Sequence, residues 1–156
     1  MTTWFLTALT ALSLLLWPIS ADNYVVNDKE FQYLELERVH SQKEIACLAV
    51  NIYHEARGES SEGQLAVAFV TLNRVESEAY PNTVCGVVYQ GKHNPSWKDK
   101  NKLVPIRHRC QFSWYCDGKD DIPDDETGWA TAQYVAGSLM YANKHRGITE
   151  GATHYH

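Results

Sequence analysis

The sequence has no surplus of positive charge: 14 Lys and Arg stand against 19 Asp and Glu, a formal net charge of −5. That excludes a dedicated duplex nucleic-acid binder, which needs a basic face. Internal repeats and low-complexity tracts are also missing, so a solenoid or fibrous architecture does not arise. Only one long apolar run occurs, and 21% of the residues are charged, which sets aside a polytopic membrane protein. At 156 residues the chain is too short for a multidomain enzyme and long enough for one domain with its own core. Neither C-x-x-C nor a complete H-E-x-x-H occurs, so the common zinc signatures are absent.

What is present begins with an uncharged N-terminus. Met1 to Ala21 carries no ionisable side chain, and Trp4 to Trp17 is apolar apart from Thr7, Thr10 and Ser13. Residues 1–21 therefore read as a secretory signal peptide cleaved after Ala21, or as an uncleaved anchor somewhat short of the ~20 residues that span a bilayer. Either reading exports the rest of the chain to the periplasm, wall or exterior, with membrane contact only through this segment. Four cysteines, Cys47, Cys85, Cys110 and Cys116, are an even number in an exported chain, which predicts disulfides. Of the three possible pairings, a local Cys110–Cys116 loop with Cys47–Cys85 is favoured.

Residues 22–42 form an acidic tether or short lead-in helix. Ser41 and Glu44 make a capping box, so the spacing predicts a helix start there, with the main domain over 43–156. Ile45, Leu48, Ala49, Ile52, Tyr53 and Ala56 make one buried stripe, and Gly58 is placed as the C′ stop. Ser61 and Gln64 offer a second box leading into a helix that is apolar on every side and fades near Glu76 to Glu78. Val84 to Tyr89 fits a short helix or a buried strand equally. Lys92 to Arg109 holds six basic residues and one acid, and Asp117 to Glu126 six acids and one Lys. Both runs read as solvated loops, although the basic one could hold an anionic polymer. A last helix is expected from Gly128 to Arg146 behind Thr127 as N-cap, and Ala152 to His156 reads as extended. The expected fold class is α+β, predominantly helical.

The densest set of reactive groups is His54-Glu55-Ala56-Arg57-Gly58-Glu59. At 100° per residue, Glu55 falls about 80° from the centre of the apolar stripe, at the rim of the buried face, while His54 points away from it. A half-buried carboxyl at the carbonyl end of a helix is placed to act as a general acid. The plainer reading pairs Glu55 with Arg57 or Arg74, and Glu59 could instead be the acid or a second carboxylate. Gly58 stands where a zincin's second histidine would be, so the His-Glu start is not a metal motif. His154 and His156, joined by His93 or His108, are the remaining metal candidates, and a surface pair explains them more simply. No metal or cofactor is expected. Cys110 to Gly118 places an amide, a hydroxyl and three aromatics in one loop, which suits a carbohydrate groove, or else Phe112 and Trp114 are core.

Six blocks then carry a resemblance: Tyr53 to Glu59, Gly63 to Ala68, Leu72 to Val75, Tyr80 to Cys85, Cys110 to Ser113 and Ala152 to His156. In order and spacing the chain resembles the SleB-type cell-wall hydrolases, the spore-cortex-lytic enzyme family, over about three quarters of its length. The resemblance implies a lysozyme-like domain, acting as a monomer, that cleaves the glycan strands of peptidoglycan between N-acetylmuramic acid and N-acetylglucosamine. It places the catalytic glutamate at Glu55, groove residues at Gln111, Phe112 and Ser113, and a strand closing the site at His154 and Tyr155. Arg57, Asn73 and Arg74 are implied to support the helix-loop-helix. Related members act as lytic transglycosylases, which need one carboxyl group; muramidase-type hydrolysis would recruit a second, with Glu59 and Glu62 nearest. Many members continue past the final block, so a short form or a truncated piece is expected. The cysteines suit a phage lysis enzyme or a Gram-negative wall-remodelling enzyme better than a spore protein. A catalytically silent wall-binding or phage-structural module and a metal-dependent amidase are the competing classes.

Overall fold

The computed structural model describes residues 27–142 and 149–154; the expected signal or anchor segment at 1–21, the expected continuation of the last helix to Arg146, and Tyr155 and His156 lie outside them. Helix α1 spans Asp28–Ala56, about 43 Å at 1.5 Å per residue. Asn27 caps it, its side chain accepting the Glu30 N–H at 3.0 Å. Nothing interrupts the helix at Ser41, so the capping box expected there does not operate. No Gly or Pro occurs between Ile19 and Arg57, and without a breaker the lead-in simply continues into the domain helix. Glu44 serves another end. Its buried carboxylate accepts the Val84 and Cys85 N–H groups at 2.5 and 3.2 Å, capping α3 (Val84–Val88).

The two halves of α1 differ. Phe31, Tyr33, Leu34, Leu36 and Val39 are exposed, whereas Cys47, Leu48, Ala49, Ile52, Tyr53 and Ala56 are buried. The helix ends at Ala56 with Arg57 as C-cap, so Gly58 follows as the expected C′ residue, and Glu59 N–H donates to the Ala56 carbonyl at 3.0 Å; Gly58 is not among the glycines with positive φ. Helix α2 (Ser61–Glu76) starts one residue earlier than its predicted box: Ser60 is the N-cap, accepting the Gly63 N–H at 3.4 Å. The Val84 segment resolves as helix.

The basic run is not a loop. Strands β1 (Gly91–Pro95) and β2 (Leu103–Cys110) pair antiparallel, with His93 opposite Pro105 and a register shift after Gly91. Gly91 faces Cys110 so closely that a Cβ there would lie 2.8 Å from the Cys110 Sγ, which is why a glycine is needed. A 3-10 turn (Trp114–Cys116) follows, then the acidic loop and α4 (Glu126–Ala142). Helix α4 starts before Thr127, because the Asp125 carboxylate takes the Thr127 N–H at 3.2 Å. Residues 149–154 form turns with left-handed Glu150 and Gly151 (φ 49° and 86°) and no strand, so the extended closing segment is not found there.

Helix α1 packs on α4, α2 and α3 to form the core, in which Leu48, Ile52, Tyr53, Val70, Val87 and Val88 are fully buried. Asn51 is buried with them and is satisfied: it donates to Thr71 Oγ1 at 3.1 Å and accepts the Trp114 indole N–H at 3.0 Å. That second bond fastens the aromatic loop to the helix bearing Glu55. The fold is mostly helical with one two-stranded sheet, α+β as expected.

Candidate functional site

Glu55 occupies the last turn of α1, half-buried, where it opens on a cleft of about 320 Å³ lined also by Arg74, Gln111, Phe112, Ser113 and His154. Four chain segments meet there, and each is held by an identifiable bond. Cys110–Cys116 closes the loop carrying Gln111, Phe112 and Ser113, and Cys47–Cys85 ties α1 to α3, the favoured pairing. Gln111 N–H donates to the Gln90 carbonyl at 2.8 Å, and Phe112 is buried beneath the loop while still bordering the cleft. Phe112 and Trp114 are thus core residues, and the exposed groove-facing chemistry comes from Gln111 and Ser113.

The fourth wall arrives from the C-terminal turns. Asn73 Nδ2 donates to the Ala152 carbonyl at 2.7 Å and to Thr149 Oγ1 at 3.0 Å, and Arg74 Nε donates to the Thr153 carbonyl at 2.8 Å. These bonds deliver His154 to the cleft, where its ring nitrogens lie 3.1 Å from Thr153 Oγ1 and 3.5 Å from the Tyr80 hydroxyl. Asn73 and Arg74 therefore clamp the C-terminal turns, beyond the helix-loop-helix support expected of them, and Arg74 itself faces the cleft. Their partners are 76 to 79 residues away in sequence, so no local pattern could have signalled it.

Glu59 is exposed and does not line this cleft; its side chain lies along the first turn of α2, beside Gly63. Arg57 turns the other way, donating to the Tyr53 hydroxyl at 2.6 Å and to Asp124 at 3.2 Å. His93 lies 3.2 Å from the Tyr115 hydroxyl and does not line the cleft that His154 borders, and His108 is exposed in β2. Tyr155 and His156 lie outside the described residues.

A second concavity, also about 320 Å³, lies on the other side of the Trp114 turn and includes His54, Arg57, Asp117, Asp120, Asp121 and Asp124. His54 does not point to open solvent. It stacks on Trp114 with centroids 4.6 Å apart, and its Nε2–H donates to the Asp121 carbonyl at 3.0 Å. Burial raises the Asp121 carboxyl above its ordinary range; His54 opposes the shift, and Asp117 and Asp120 add to it. Asp124 moves down, chiefly because the Tyr53 hydroxyl donates to it, with its own backbone and Arg57 assisting.

The family model described as Cell Wall Hydrolase matches residues 58–156, more than half of the chain and beginning just beyond Glu55. A spore cortex-lytic enzyme of Oceanobacillus iheyensis is 51% identical over 51 residues, 33% of this chain and 18% of that protein. Spore cortex-lytic enzymes of Bacillus cereus (51% over 51 residues, 33% and 20%) and Bacillus subtilis (50% over 50 residues, 32% and 16%) are similar to it. The aligned stretch spans at most 20% of the length of these relatives. No solved structure matches the chain. Because the matched residues run through the aromatic disulfide loop and the C-terminal turns that wall the cleft, the chain belongs to the Cell Wall Hydrolase family.

Proposed function

We propose that this domain cleaves the glycan strands of peptidoglycan as a lytic transglycosylase, with Glu55 as both acid and base. The observation that carries the reading is the cleft itself, which gathers Glu55 with Gln111, Ser113, Phe112 and His154 from separate parts of the chain. In the reaction, the Glu55 carboxyl protonates the glycosidic oxygen as the bond to the muramyl C1 breaks. The resulting Glu55 carboxylate then takes the proton of the muramyl C6 hydroxyl as that oxygen closes onto C1. The products are a new 4-hydroxyl on the leaving sugar and a 1,6-anhydromuramyl end, and no water is consumed. Gln111 and Ser113 are suited to bond sugar hydroxyls or acetamido groups, and His154 with Tyr155 would close the site.

A lysozyme-related ancestry, action as a monomer and export through residues 1–21 belong to the same reading. No helix among the described residues is long and apolar enough to cross a membrane. Mass spectrometry of peptidoglycan digested by residues 22–156, wild type against a folded Glu55→Gln variant, tests the proposal. Anhydromuramyl fragments lost in the variant are expected. Reducing muramyl ends would move the reading to hydrolysis with a second carboxylate, and binding without any fragments would move it to a wall-binding module.

A further inference from the structure

Arg74 is placed unlike any other cation among the described residues. Its side chain is only 5% exposed, it borders the cleft beside Glu55, and no ion pair is made by it among the described residues. Its guanidinium lies 5.1 Å from the Phe112 ring centroid and 5.5 Å from that of Tyr80. Of five N–H donors, Nε–H is spent on the Thr153 carbonyl, and Nη1 is buried without a hydrogen-bond partner. A guanidinium stays charged at any physiological pH, and a charge so far from water is ordinarily paired. Ring contacts soften that cost without supplying an oxygen acceptor. The geometry therefore calls for a ligand oxygen, and the fork of a guanidinium fits a carboxylate best.

We propose that Arg74 is a substrate-binding residue that takes the carboxyl-derived oxygens of a lactyl ether on the sugar bound next to Glu55. The proposal rests on the glycan-cleaving reading above. In a strand that alternates muramyl and glucosaminyl units, the lactyl ether is the group that distinguishes the two rings. An arginine that reads it sets the register of the strand, so that Glu55 meets the bond leaving a muramyl C1 and not the glucosaminyl bond one sugar along. A free lactyl carboxylate makes charge-assisted bonds with Arg74, and a peptide-substituted one still offers its carbonyl.

The test uses Glu55→Gln protein, so that binding is read without turnover and independently of whether the wild type cleaves. Calorimetry would compare a peptide-free tetrasaccharide of alternating N-acetylmuramic acid and N-acetylglucosamine with the neutral N-acetylglucosamine tetramer. The acidic glycan should bind about 10- to 100-fold more tightly, the range of hydrogen bonds to charged groups. Adding Arg74→Gln should abolish the preference. Arg74→Lys, the variant that better preserves folding, should lose most of it because it keeps the charge but not the fork. A purely structural role would weaken both glycans alike and leave their ratio unchanged. Equal affinity in the Glu55→Gln parent, or a preference intact in Arg74→Lys, would overturn the assignment. Cleaving activity in the wild type alongside equal affinities would sink this inference alone, whereas inactivity with the preference retained would count against the catalytic reading alone.

Discussion

His54 and Glu55 are neighbours in sequence, yet they open on two concavities of similar size that are built in opposite ways. On the His54 side the polar groups largely satisfy one another: the imidazole bonds the Asp121 carbonyl, and the Tyr53 hydroxyl gathers Asp124, the Asp125 N–H and Arg57. That region is one acidic loop folded onto the end of α1, and its chemistry goes into holding the loop. On the Glu55 side the walls come from four segments, and their backbones are secured from behind, which leaves Gln111, Ser113 and His154 facing the opening. On the proposed reading, the acidic richness of a cleft is therefore a poor guide to catalysis. The better sign is functional side chains held in place by groups outside the cleft, a property of preorganised sites.

The sharpest way to break the comparison is to exchange one carboxyl on each side. Glu55→Gln should lower the rate of muropeptide release by at least about 10²-fold, the lower range for losing a general acid, with an unchanged melting temperature. Asp124→Asn should leave release intact. A loss of activity in Asp124→Asn as large as that in Glu55→Gln would show that the acidic side takes part in the chemistry.

The two disulfides give the next largest contrast. Cys47–Cys85 closes a separation of 38 residues between α1 and α3, and Cys110–Cys116 closes a separation of 6 around Gln111, Phe112 and Ser113. From loop entropy, Ser substitution of the first pair should cost about 4 kcal/mol and of the second about 2 kcal/mol in thermal or denaturant unfolding. Activity should rank the other way. Misplacing Gln111 and Ser113 by an ångström can cost up to about 10²-fold, so the short loop should dominate the rate measured on folded protein. Equal rates for both variants would detach the loop from the site.

Much of this arrangement is legible in the sequence because it rests on short-range pattern. The i, i+3, i+4, i+7 stripe from Ile45 to Ala56 marks the buried half of α1 and puts Glu55 at its rim, where it lies half-buried. Ser41 misled because a capping box competes with continuation, and without a Gly or Pro ahead of it the helix continues. The hairpin was hidden for a different reason: β1 and β2 each contain a proline, with Lys92 in the first and Arg107 and Arg109 in the second, so neither shows clean alternation. Least legible was the role of Asn73 and Arg74. In sequence they look like the polar end of an apolar helix, and only the fold brings Thr149, Ala152 and Thr153 to them.

Smaller effects should be confined to the acidic side. Tyr53→Phe removes the hydroxyl that accepts the Asp124 and Asp125 N–H groups at 3.1 and 3.0 Å. Stranding those donors should cost about 1–3 kcal/mol, seen as a lower denaturation midpoint, while muropeptide release by the folded protein persists. If release fell with Tyr53→Phe as far as with Glu55→Gln, the two concavities would have to be treated as one site.

The finest test concerns Asp121 and Asp124, whose carboxyls shift in opposite directions within one loop. Asp121 is raised mainly by burial, so its anion disfavours the folded state once the pH is above the folded-state value, and that penalty disappears as the pH falls below the ordinary 3.8. Asp124 is lowered mainly by the Tyr53 hydroxyl, so its contribution is stabilising above 3.8 and is lost as the pH falls through its depressed value. Asp121→Asn should then raise the melting temperature slightly at pH 7 and leave it unchanged near pH 3. Asp124→Asn should lower it at pH 7, with the difference shrinking in acid. Opposite signs at neutral pH from two aspartates three residues apart would show that the loop's charges are sorted by what each one touches. A shared sign would mean that the net charge of the acidic run governs both, and the account of that side as a set of specific bonds would fail.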